Sequence, residues 1–97
     1  MRQEEVLAIL KRHREELQHL GVRSLTLFGS VARNEAGPRS DVDFLVEIDR
    51  PMGLFGLLRI QHLIEQLLGG IEVDLIMKGS VLEELKDDIQ EDSVRVI

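Results

Sequence analysis

Residues 42–48, Val42-Asp43-Phe44-Leu45-Val46-Glu47-Ile48, alternate with a period of two. Val42, Phe44, Val46 and Ile48 fall on one face, and Asp43, Leu45 and Glu47 on the other. That is the pattern of a strand with one side in a core and acids on the opposite side. Two further segments carry the same period. In residues 23–28, Leu25 and Leu27 oppose Ser24 and Thr26; in residues 71–76, Ile71, Val73 and Leu75 oppose Glu72 and Asp74.

Between the strands the period changes to that of a helix. Val6, Leu7, Leu10, Leu17 and Leu20 recur at steps of three and four over residues 3–20, and Gly21 ends the run. Residues 30–35 read as a short helix with Ser30 at its cap. Residues 54–68 form a second long helix stopped by Gly69-Gly70, and a last helix opens at Ser80 with Glu83 completing a capping box. Residues 93–97 read as a fourth short strand or an ordered tail. The order α-β-α-β-α-β-α makes an α/β (α+β) layer with a short mixed sheet of three to four strands and helices packed on it. The 97 residues suit one domain, 1–97.

Composition excludes several function classes. Twelve basic against eighteen acidic residues leave a net charge of −6, unsuited to a freestanding nucleic-acid binder. There is no cysteine, hence no disulfide, thiolate metal site or cysteine nucleophile. No leader and no run long enough to span a membrane is seen, so a cytoplasmic protein is expected. His13, His19 and His62 lack metal-pair spacing and read as surface residues. Phe28, Phe44 and Phe55 sit in apolar patterns and read as core, as does Leu54-Phe55-Gly56-Leu57-Leu58, for which a partner surface is the second reading.

Asp41 and Asp43, two residues apart at the start of a strand, project to one side about 7 Å apart along the backbone. Like charges that close call for a cation, and hard oxygen ligands favour magnesium or manganese. Asp74 is the lone acid of Val73-Asp74-Leu75-Ile76. A carboxylate on a buried strand is costly unless partnered, and facing Asp41 and Asp43 across the sheet removes the cost; the other reading is an edge-strand acid facing water. Three such carboxylates could hold two divalent ions against a triphosphate. Gly29-Ser30 at the end of the first strand lets the backbone approach a phosphate, with helix N–H groups and the Ser30 hydroxyl as donors. Arg33, one turn on, reaches the same phosphates or pairs with a local acid.

Leu27-Phe28-Gly29-Ser30-Val31-Ala32-Arg33 and Ser40-Asp41-Val42-Asp43-Phe44-Leu45-Val46 resemble the signature of the polymerase-beta-like nucleotidyltransferases, and the chain's length resembles their minimal (MNT) branch. The resemblance spans residue 23 to the helix after 80. It departs at Asn34, where members often carry glycine. It implies that Asp41 and Asp43 hold Mg2+, that Asp74 completes the metal site or serves as base, and that Gly29 and Ser30 hold the triphosphate of ATP. With no residues left for an acceptor-binding domain, it points to the antitoxins that transfer AMP to a tyrosine of a HEPN toxin. The alternatives are a non-catalytic module that neutralises a partner by contact, and one subunit of a small-molecule nucleotidyltransferase. Open sheet edges favour pairing, as a homodimer or a hetero-oligomer.

Overall fold

A computed structural model of the chain describes residues 2–32, 41–77 and 93–97. Helices α1 (Gln3–Arg12) and α2 (Arg14–His19) lead into strand β1 (Val22–Phe28) and the short helix α3 (Gly29–Ala32). Strand β2 (Val42–Ile48), helix α4 (Leu54–Leu67), strand β3 (Val73–Met77) and the two-residue strand β4 (Val94–Arg95) follow. The four strands form one sheet in the order β3-β2-β1-β4. β1 runs antiparallel to both β2 and β4, while β2 and β3 are parallel. The mixed sheet expected from the sequence is therefore present, with residues 94–95 as its fourth strand. The helix expected from Ser80 and the second half of the 30–35 helix lie outside the described residues.

Several boundaries differ from the sequence reading. The first helix is not continuous over 3–20: it breaks at His13, whose φ of −110° and ψ of 22° leave the helical region. The apolar seam explains the break. Leu10 and Leu17 are fully buried, but Lys11, Arg12, His13 and Arg14 give the intervening turn nothing to bury. The His13 ring instead pairs with Glu16 at 2.8 Å, three residues on in α2. β1 begins one residue early, at Val22, because its register with β2 shifts between Val22 and Ser24. β3 begins at Val73 rather than Ile71.

The core lies on one side of the sheet. Leu25 and Leu27 of β1, Val42, Phe44 and Val46 of β2, and Val73 of β3 bury there against Val6, Leu10 and Leu17 of the first two helices and Ile60 and Ile64 of α4. Phe55 departs from the expected core placement. It is 81 % exposed, and Leu54 beside it is 68 % exposed. The buried stripe of α4 is set by Ile60, Ile64 and the following Leu68, and Phe55 falls about half a turn away from it.

Two α4 side chains also fasten the edge strand. Gln61 Nε2 donates to the Val73 carbonyl at 3.0 Å, and Val73 N donates to Glu65 Oε2 at 3.1 Å. The outward backbone groups of that residue are thus both satisfied, where an edge strand would leave them bare.

Candidate active site

β2 carries Asp43 on the face away from the core, since Val42 and Phe44 on either side point inward and are fully buried. Asp41 stands just ahead of the strand and is exposed. The pairing of β2 with its two neighbours then decides what surrounds Asp43. Asp74 of β3 is its register partner on one side, and Phe28 of β1 its partner on the other. Both pairings put side chains on the same face of the sheet.

The two carboxyl groups meet. Across the pairing the Asp43 carboxyl lies within charge and hydrogen-bonding range of Asp74. Burial, then the Asp74 charge and hydrogen bonding, then Asp41, push the Asp43 carboxyl up from 3.8 to about 6. Asp43 is half-buried, whereas Asp74 lies exposed at the edge of the sheet. Asp74 thus faces Asp43 across the sheet, as expected, but as an edge-strand acid open to water rather than a buried one. β3 is an edge strand, and solvent reaches Asp74 from the open side. Its position opposite Asp43 comes from register.

Gly29 closes the site from above β1. Its φ of +78° is left-handed, and a Cβ there would stand 2.5 Å from Asp43 Oδ2. Glycine is needed twice over, for the backbone turn and for the room that the carboxylate occupies. Ser30 lies in the first turn of α3; its side chain, and the whole of Arg33, lie outside the described residues. The structure thus brings Asp43, Asp74 and Gly29 together and keeps Asp41 within electrostatic reach.

The donor set suits a hard divalent cation. Two facing carboxyl groups that repel each other would share a metal ion, which removes the repulsion. Among the described residues no three acidic, histidine or cysteine side chains converge into a ready cage. Asp41 has to turn in to become a third ligand.

Phe28 was missed as a site residue. The sequence reading gave it to the core. It is buried, but its register partner is Asp43, on the site face, and it lies outside the main core cluster. Its place two residues before Ser30, out of phase with Leu25 and Leu27, is the signal that could have shown this.

A groove of about 490 Å³ lined by Glu15, Glu16, His19, Leu20 and Leu63 lies between α2 and α4. It is no candidate for a polyphosphate, because its rim is acidic and its floor apolar. Among the described residues no helix is long and apolar enough to cross a membrane.

The family model described as "Nucleotidyltransferase domain" matches residues 10–96. The protein adenylyltransferase MntA of Thermococcus cleftensis is 42 % identical over 79 residues, which is 80 % of this chain and 79 % of that protein. A solved structure assigned to the minimal nucleotidyltransferases superposes with a TM-score of 0.71 at 29 % identity, covering 91 % of this chain and 93 % of the other. The MNT antitoxin fold is also shared. The complex of the tri-AMPylated HEPN toxin of Shewanella oneidensis with its MNT antitoxin superposes with a TM-score of 0.64 at 15 % identity, over 94 % of this chain and 71 % of that one. Matched by the family model over most of its length and by these relatives, the chain belongs to the nucleotidyltransferase domain family, among its minimal members, and is a nucleotidyltransferase.

Proposed function

We propose that this chain transfers AMP from ATP to a tyrosine hydroxyl of a HEPN-type toxin, with Mg2+ held by Asp41, Asp43 and Asp74. The observation that carries the reading is the facing of Asp43 and Asp74 across two parallel strands beside a left-handed Gly29. Relatives support the acceptor class: one is named a protein adenylyltransferase, and the MNT antitoxin of similar fold was solved with an AMPylated toxin.

The chemistry follows from the placement. Gly29 offers backbone with no side chain in the way of the phosphates, and Ser30 and Arg33 supply donors for their oxygens. The acceptor oxygen attacks the α-phosphorus, the bond to the bridging oxygen breaks, and pyrophosphate leaves. The proton lost by the acceptor goes to Asp74, the exposed member of the acid pair and the one a protein hydroxyl can reach. Bound Mg2+ supplies charge neutralisation of the triphosphate and of the leaving group. Asp43 is held less exposed between Phe28 and Asp74, which fixes its carboxylate for the ion.

The test is transfer of label from α-labelled ATP to the cognate toxin, mapped to a tyrosine. The Asp41→Asn plus Asp43→Asn variant is expected to lose labelling while keeping its circular dichroism spectrum and a melting temperature no lower than that of the wild type. Labelling at the wild-type level by that variant overturns the proposal.

A further inference from the structure

Among the described residues, the outer edge of β3 is sealed at one end only. β3 is the last strand on its side of the sheet. In a parallel pair, alternate residues turn both backbone groups to the same side. Val42 N donates to the Glu72 carbonyl, and Val42 is the register partner of Val73. Glu72, Asp74 and Ile76 therefore face β2, and Val73, Leu75 and Met77 face outward. Gln61 and Glu65 satisfy Val73. Among the described residues nothing pairs with the outward backbone groups of Leu75 and Met77.

An apolar patch flanks the unsealed half. Stepping back from Glu65 and Gln61 along the same side of α4 gives Leu58 and Leu54. α4 returns antiparallel to β3, and its rise brings these two level with Leu75 and Met77. Leu54 and Phe55 are 68 % and 81 % exposed. Residues 54–58 carry no charge in a chain of net charge −6, so two copies can approach here without like-charge repulsion.

We infer that the chain forms a two-fold symmetric dimer through the Leu75–Met77 edge of β3, with Leu54, Phe55 and Leu58 of both copies packed beside the axis. Antiparallel pairing centred on Ile76 sets Leu75 opposite Met77 of the partner subunit and the reverse, so each outward group meets its complement. In this register the outward groups of both Leu75 and Met77 are paired in each copy. Leu and Phe side chains of this exposure bring on the order of 500 Å² from two copies. Leu58, Leu75, Met77 and the edge backbone extend that towards the roughly 1,000 Å² a specific interface needs. The seal at Val73 stops the pairing short of Asp74, so both sites stay open in the dimer.

Sedimentation equilibrium up to about 100 µM tests this, combined with residue-resolved amide exchange. The wild-type chain is expected at twice its 11.0 kDa mass, with slow exchange at the Leu75 and Met77 amides. Leu54→Glu plus Phe55→Glu, both at exposed positions, is expected to weaken the dimer at least about tenfold and to speed exchange at those amides while the Phe44 amide stays protected. A wild-type monomer at the top concentration overturns the inference. So does a dimer whose Leu75 and Met77 amides exchange freely.

Discussion

On the helix side of β2, Val42, Phe44 and Val46 are fully buried, and each contact there adds stability. On the other side of the same seven residues, Asp43 faces Asp74, and burial and that neighbour push its carboxyl up to about 6. The two faces are interleaved residue by residue, yet one stabilises the fold while the other costs it. The difference teaches that the site depends on the core opposite it. Only a strand anchored at 42, 44 and 46 can hold 43 against a like-charged neighbour.

Phe44→Ala is the largest break on the covered face. It is expected to cost about 3–5 kcal/mol in denaturant unfolding, with activity falling only as the folded fraction falls. Asp74→Asn breaks the open face instead. Transfer is expected to drop about 10²–10³-fold, with stability unchanged or slightly raised, because a repelling charge is gone; a drop in proportion to lost folding would erase the contrast. Gly29→Ala touches both faces at once. The left-handed backbone is expected to cost about 1–2 kcal/mol, and displacement of Asp43 Oδ2 should reduce transfer more than that stability loss explains.

The smallest effect is the most diagnostic. The Asp43 carboxyl is raised from 3.8 to about 6 in the folded chain. Below 3.8 both states carry the proton and pH has no effect through this group. Between 3.8 and about 6 the folded state binds more protons, so stability falls as pH rises, and the loss is complete above about 6. Asp43→Asn is therefore expected to stabilise the metal-free protein at pH 8 by about 1 kcal/mol, after allowance for solvent screening at a half-buried site. The gain should vanish at low pH, and added Mg2+ should stabilise only the wild type. Melting curves with and without the ion at both pH values check all three.

Much of this was legible in residues. The alternation of 42–48 gave β2 its true bounds and faces, and Gly29 and Asp43, singled out by their motifs, are brought together with Asp74. What could not be read is what depends on neighbours distant in sequence. Asp74 looked buried because its strand is apolar, and only the strand order puts it on an edge. Phe55 looked like core because Leu57 and Leu58 follow it, but the helix phase set by Ile60 and Ile64 turns it outward. Phe28 ended an alternation as a hydrophobe, and only its pairing with Asp43 shows which face it serves.

The fastening of Val73 by Gln61 and Glu65 reaches further than the edge it covers. Side chains alternate along β3, so a slip of one residue against β2 would carry Asp74 to the helix side and bring an apolar neighbour to Asp43. Two polar residues in the middle of α4, with no part in the chemistry, thus work as an indexing pin. They set the phase of the edge strand, and with it whether the second acid of the pair faces Asp43 at all.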